Sequence, residues 1–486
     1  MSSARPIGSV RAHDAERAPS PAARPRSWGN NPTGPGGCQA GASDIACPST
    51  DYNFVARNIT NMAQQATNFL DYAAAQGTPW MLYVGFGDSH RCGGDVVGEF
   101  CEKFGLDQQG RSTIPDWTPF HIAPADVQVP FWIQDTPAAR EDLAKMYTAK
   151  NRMDQGVGLI LALLEARGLA NSTLVVYTAD NGAPFAAGKT NMYEVATSEP
   201  MIAFAPGAAR AGVRSQELAS TLDLLPTWLA WAGVPLPSYS LFGPVTYTGR
   251  SLLPFITGAA AEDGADGDEA AAFPAPRHRL LMSAAEAAAA TRPLRGGAAP
   301  APLGENATRV HGSFQNHEAQ EYYPMRSVVA ADASSGAHYR LIYNIAERLL
   351  YPIASDLYAA PAFQDLLNRT RDGGAQCTPR ERQGEGERAP FPVAAPLRSR
   401  PGRRSPLAAS PTSHRAVATH WYRNFSAYLG ESRAPFELFD LAQDPMELNN
   451  VAADPAYAAV LADLQADILA FQTSTQDDWI IKRVHE

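Results

Sequence analysis

The sequence has no apolar run approaching the ~18 residues that suggest a membrane span. Its first residues, MSSARPIGSVRAHDAERAPSPAARPRS, lack the apolar stretch of a secretory leader. Positive charge is not in excess either: over 486 residues the formal balance is −10. Nucleic-acid binding, which rests on a basic face, is therefore disfavoured. An anionic ligand has to be held by a local cluster of cations and not by the overall field. Cysteine is sparse, with Cys38, Cys47, Cys92, Cys101 and Cys377 the only five. Cys92 and Cys101 lie close together in HRCGGDVVGEFC. A short-range disulfide is expected there in an oxidising compartment, with two reduced thiols as the alternative.

Apolar residues make up 45% of the chain, ample for a large core. The length suits two or three domains, or one large α/β domain plus a smaller one. Five N-x-[ST] sequons occur, at Asn58, Asn171, Asn306, Asn368 and Asn424. Each is a weak signal alone, and Asn58, Asn171 and Asn368 are taken as the glycosylation candidates.

Residues 1–50 are rich in Pro, Gly, Arg and Ser and read as disordered or as an artefact of gene modelling. Regular patterning begins with a helix that has Met62, Ala66, Phe69, Leu70 and Ala73 on one face and ends at Gly77. The run WMLYVGF, residues 80–86, predicts a buried strand. A long helix is expected over 137–167, capped by Asp135 or Thr136 and stopped at Gly168. Further strands are expected at 173–179 and 201–207, and a helix at 220–234. Apolar strands alternating with helices predict a parallel sheet covered on both faces. The stretches 258–300 and 371–415 are low-complexity insertions. Between and after them, MRSVVAADASSGAHYRLIYNI reads as two strands joined by a Gly-containing loop, and a last helix is expected at about 455–472. The expected organisation is a leader over 1–50, a larger α/β core over 51–322 and a smaller α+β domain with an antiparallel sheet over 323–486.

Ligands of open α/β sheets bind beyond the carboxyl ends of strands. Two polar clusters fall at such places. Asp88-Ser89-His90-Arg91 follows the first strand, where Asp88 and Arg91 could orient His90 or share an anion. Asp180-Asn181-Gly182 follows the second and offers a carboxylate and an amide carbonyl, both hard oxygen ligands for Ca²⁺ or Mg²⁺. An ordinary D-N-G turn is the competing interpretation. Lys189 is close enough along the chain to return a cation to the same pocket.

The strings FGDSHRCGG, FCEKFG, IPDWTP, TPAAREDLAKMYTAKNRMDQGVGLIL and YTADNGAPFAAGKTNMY resemble the heparan N-sulfatase (sulfamidase) branch of the sulfatases. So do TGRSLLP, YYPMRSV, FQDLLNRT and ELFDLAQDPMELNNVA, and the likeness covers most of 51–486 outside the two insertions. The resemblance implies an alkaline-phosphatase-like α/β/α sandwich with a small C-terminal domain, and one bound Ca²⁺. It implies that Asp180 and Asn181 are two of the metal ligands, that His90 contacts the sulfate and assists the leaving group, and that Lys189 binds sulfate. Lys189 stands where the branch has Arg, so a bidentate fork becomes a point charge. The implied substrate is the N-sulfate of glucosamine in heparan-type glycans. The implied location is lysosomal or secretory, and the implied assembly is a homodimer.

Sulfatases use a Cys or Ser in a C-x-P-x-R motif, modified to formylglycine, as nucleophile. No Cys-x-Pro-x-Arg string occurs here; in Cys47-Pro48-Ser49-Thr50 the proline comes one position early. The family's Asp pair, Lys and His from the same early region are not identifiable in residues 1–50. The expectation is a sulfamidase-like chain lacking its first αβ units through truncation of the gene model, and inactive as written. The alternative is an inactive protein that binds sulfated glycans.

Overall fold

In the computed structural model, the residues described are 57–93, 96–130, 132–208, 212, 214–215, 217–237, 247–258, 300–304, 307–317, 322–371, 433–477 and 479. They fall into two compact units. The first takes the described residues within 1–88, 103–119 and 151–167. The second takes those within 89–102, 120–150 and 168–486.

In the first unit, helix α1 spans Ile59–Gln76. Asn58 caps it by accepting from the Asn61 N–H, and Gly77, at φ 62°, ends it by donating to Ala73 and Ala74 carbonyls. Met62, Ala66, Leu70 and Ala73 are buried as the 3.6-residue period requires. A small core joins Ile59, Ile114 and Trp117 with Phe86, Leu106 and Leu159. Beside it the buried Asp88 carboxylate bridges Arg57 at 2.8 Å and Arg152 at 2.8 and 2.9 Å. The strand expected at 80–86 does not form. The segment is extended, but no described strand pairs with it, and Met81 and Tyr83 are 59% and 80% exposed. An apolar run identifies material for burial; a ladder needs a neighbour as well.

Helix α2, Pro137–Ala166, contributes residues 151–166 to the first unit and 137–150 to the second. The Thr136 hydroxyl accepts from the Ala139 N–H and caps it. In the second unit the chain continues through β1 (Val175–Thr178), the short helix α3 (Glu194–Thr197), β2 (Met201–Phe204), α4 (Leu224–Trp231) and α5 (Leu253–Thr257). β1 and β2 pair antiparallel, with Val175 opposite Phe204 and Thr178 opposite Met201. The expected parallel arrangement is corrected for these strands: continuous apolarity reports burial and carries no information on direction.

A four-stranded antiparallel sheet follows in the order β3 (Thr308–Asn316), β4 (Tyr322–Asp332), β5 (Ala337–Asn344) and β6 (Phe436–Asp440). Its first strand precedes Tyr323, where the sequence placed the start of the smaller domain. β4 and β5 are the two strands read from MRSVVAADASSGAHYRLIYNI, turning at Gly336 with φ 73°. Pro324 cannot donate to a ladder, and the register shifts opposite it, between Phe314 and Asn316. Strand alternation sends Tyr323, Met325, Ile342 and Phe439 to one face, where Leu357, from α6 (Ser355–Tyr358), and Phe363 and Leu366, from α7 (Pro361–Arg371), cover them. Val328, Tyr339, Leu341 and Leu438 point to the other face, covered by Val460, Leu464 and Ile468 of α8 (Ala458–Ser474).

Candidate functional site

The site is built on two loops and one helix start. The first loop carries His90. Cys92 and Cys101 are disulfide-bonded, with Cα atoms 5.5 Å apart, and the Cys92 N–H donates to Glu99 across the loop. Arg91 fills the loop's interior. It is fully buried, makes a two-pronged pair with Asp142 at 3.0 and 2.8 Å, and donates to the Gly98 and Pro184 carbonyls. Its guanidinium stacks 4.0 Å from the Phe100 ring centroid. Removing the charge of either partner would strand the other in a dry interior. The neighbours of His90 therefore have other tasks than those first considered. Arg91 is a structural cation, and Asp88 is taken up by Arg57 and Arg152.

The second loop carries Lys189. The Lys189 N–H donates to the Ala183 carbonyl and the Gly188 N–H to that of Phe185. Gly188 is required there, since a Cβ would come within 2.1 Å of the Ala183 oxygen. Ala187 and Thr190, on either side, hold left-handed backbone at φ 70° each. Such non-glycine positions cost about 1 kcal/mol or more and persist where the surroundings over-determine them. Ala187, Met192 and Tyr193 are packed into the covered face of the sheet.

The helix start supplies Asp356, at the second position of α6. These three side chains meet. Lys189 Nζ lies 2.8 Å from His90 Nε2 and 3.1 Å from Asp356 Oδ2. His90 Nε2 is 3.8 Å from the same oxygen, and His90 Nδ1 is 2.6 Å from the Arg91 carbonyl. The His90 side chain is 56% exposed, whereas Lys189 and Asp356 are buried. Burial works to raise the Asp356 carboxyl. The charge and hydrogen bond of Lys189, with His90 and the Leu357 N–H, outweigh it and hold the carboxyl below its usual range. The arrangement is a solvent-facing imidazole over a buried ion pair.

Asp180 and Asn181 follow β1 as expected, and the Asn181 amide donates to the Gly182 carbonyl at 3.0 Å. Asp180 is exposed and accepts from the Asn181 N–H at 2.9 Å. Gly182 packs against α3 itself, where a Cβ would sit 2.1 Å from the Val195 oxygen. Glu199 lies on the same side. Burial first, and then the charge of Asp180, push its carboxyl up to about 7, and its Oε1 is buried with no hydrogen-bond partner among the described residues. Among the described residues no three His, Cys, Asp or Glu side chains form a metal cage. The donors present, a carboxylate and an amide with a crowded second carboxylate nearby, suit part of a site for a hard cation.

Of the other expected residues, Asn171 and Asn368 are exposed. Asn58 is buried and spends its side-chain oxygen on capping α1, which leaves it badly placed for a glycan. Asn306, Asn424, Cys38, Cys47 and Cys377 lie outside the described residues. Sequence reading missed Asp356, Asp142 and Glu199, whose partners are remote along the chain. It also passed over Ser399-Arg400-Pro401-Gly402-Arg403, which has the spacing of the serine form of the nucleophile motif. That string sits in an Arg- and Pro-rich stretch outside the described residues, and after Asp180 instead of before it.

A family description, Sulfatase, matches residues 27–234. Human N-sulphoglucosamine sulphohydrolase is 36% identical over 431 residues, covering 88% of this chain and 66% of that protein. Human arylsulfatase A is 40% identical over 118 residues, 22% of each chain. A solved structure described as in complex with its substrate D-glucosamine-2-N,6-O-disulfate is similar at 15% identity and a TM-score of 0.36, covering 71% of this chain and 44% of that one. The chain belongs to the sulfatase family of hydrolases, and its described residues combine helices and sheets. Within the family its similarity is to the heparan N-sulfatase branch, and it spans about two thirds of the human relative's length.

Proposed function

We propose that the protein acts on sulfated glucosamine, hydrolysing the N-sulfate of heparan-type glycans. The observation that carries this is the His90–Lys189–Asp356 cluster, found in a chain 36% identical to an N-sulphoglucosamine sulphohydrolase. Lys189 supplies positive charge for a sulfuryl oxygen from a buried, fixed position. His90, reachable from solvent, is the group that handles the proton of the leaving nitrogen. The Arg91–Asp142 pair and the disulfide hold His90 in place. Asp180 and Asn181 would hold a calcium ion, which when bound neutralises charge developing on the sulfuryl oxygens. Asn171 and Asn368 are exposed acceptors for glycans, in keeping with a lysosomal or secretory location. A homodimer belongs to the same proposal.

A second reading is that of a protein binding sulfated glycans without turnover. The absence of a Cys-x-Pro-x-Arg string favours it. Incubating the full chain with N-sulfoglucosamine and following inorganic sulfate separates the two. Released sulfate, lost in Lys189→Ala, establishes the hydrolase. Calorimetric binding of a heparan-type oligosaccharide with no sulfate released establishes the binding protein. Neither turnover nor binding overturns both.

A further inference from the structure

The contacts of His90 define its tautomer. An ammonium group has hydrogens and no lone pair, so at 2.8 Å from Lys189 Nζ the His90 Nε2 must be the acceptor. A carbonyl has no hydrogen to give, so at 2.6 Å from the Arg91 oxygen His90 Nδ1 must be the donor. The proton therefore sits on Nδ1 and the Nε2 lone pair faces inward. That arrangement depends on where the ammonium is. Lys189 ends a flexible four-carbon stem, and Asp356 Oδ2, at 3.1 Å and buried, fixes its tip. Asp356 is fixed in turn, its other oxygen accepting from the Leu357 N–H at 2.8 Å.

We propose that Asp356 is a positioning residue: it anchors the Lys189 ammonium and through it holds the His90 ring in the Nδ1–H tautomer with Nε2 turned toward the site. Among the described residues, two of the three ammonium hydrogens serve His90 and Asp356, and the third is the one to meet an anion's oxygen. Asp356 thus sets both the aim of the cation and the nitrogen that His90 presents. The bearing on catalysis rests on the sulfate-binding role proposed above. The tautomer does not.

The test is the ring nitrogen spectrum of His90 in the full chain labelled with ¹⁵N-histidine, at a pH where the ring is neutral, with signals assigned by His90→Gln. The native chain is expected to show the Nδ1–H pattern. Asp356→Ala frees Lys189 and should shift His90 to a majority of Nε2–H. Asp356→Asn keeps an acceptor oxygen and should restore the Nδ1–H pattern, a rescue that general loosening of the fold would not give. Should the alanine variant fold poorly, Asp356→Val fills the space and is expected to show the same shift. A native chain already in the Nε2–H form, or a ring unchanged in both the alanine and valine variants, overturns the proposal. Adding inorganic sulfate keeps the two ideas apart. A tautomer that responds to Asp356 in a chain whose His90 signals ignore sulfate upholds the positioning role and overturns the sulfate-binding one.

Discussion

The two sheets of the second unit contain similar apolar residues and meet opposite fates. In the four-stranded sheet, Val328, Leu341, Ile342, Leu438 and Phe439 are fully buried, with helices over both faces. In the two-stranded pair, Ile202 is 63% and Phe204 54% exposed, and all four residues of β1 are only partly buried. Composition therefore does not decide which strands form a core. What decides is whether other elements supply cover, and near the covered sheet the helices α6 and α7 do so. The candidate site lies against the covered sheet, with Asp356 and Lys189 in segments that pack on its face. Placing a buried ion pair there makes physical sense, because only a rigid surround holds charges in one geometry.

The largest effects should come from the fully buried side chains, in the covered sheet and in the disulfide loop. Phe439→Ala removes a ring from the covered face and is expected to cost about 3–5 kcal/mol, read as a lower urea midpoint of the full chain. Arg91→Ala should cost a similar amount, about 3–5 kcal/mol, by leaving the Asp142 carboxylate buried without its partner. Arg91→Met combined with Asp142→Leu should recover most of that loss. A double variant as weak as the single one would mean that the loop needs the donors to Gly98 and Pro184 and not the pair.

A smaller, pH-dependent effect belongs to Glu447 on the same sheet's border. Burial pushes its carboxyl up to about 7 in spite of Arg340, whose Nε is 2.5 Å away. In the unfolded chain the group returns to the ordinary range of about 4.3. Between those values the folded state holds more protons. Its contribution is therefore fully present below about 4.3 and is lost as pH rises through about 7. Glu447→Gln should flatten that fall when urea midpoints at pH 5.5 and 7.5 are compared. A slope the same in both proteins would show that Arg340 keeps the carboxylate ionised throughout, as it does for Glu194, whose carboxyl burial raises but the Arg340 charge holds low overall.

What could be read from the sequence follows the same line between local and remote. Helix α1, with Asn58, its apolar face and Gly77, is written within twenty residues, and the β4–β5 hairpin turning at Gly336 is nearly as local. The disulfide loop is equally local. His90 and Lys189 were each legible from their places after strand ends, and the resemblance supplied their roles; 99 residues separate them and no spacing rule joins them to each other. Asp356 is 167 residues from Lys189, in a stretch that reads as an ordinary helix start. The direction of β1 against β2 escaped for a related reason: alternation and apolarity describe a strand's faces, while its neighbour is chosen by the whole chain.

The smallest expected effect tests the open side of the comparison. Ile202→Thr keeps a β-branched side chain, so strand preference is nearly preserved and the change isolates burial of the methylene end. With Ile202 63% exposed, little apolar area is at stake, and the loss should stay within about 0.5 kcal/mol. Val328→Thr makes the corresponding change at a fully buried position of β4 and brings a hydroxyl into the core, so it should cost at least about 1 kcal/mol. The two urea midpoints, measured side by side, read the contrast directly. If Ile202→Thr costs as much as Val328→Thr, the face of β2 is covered in solution. Burial, and not the number of paired strands, would then be what the two sheets have in common.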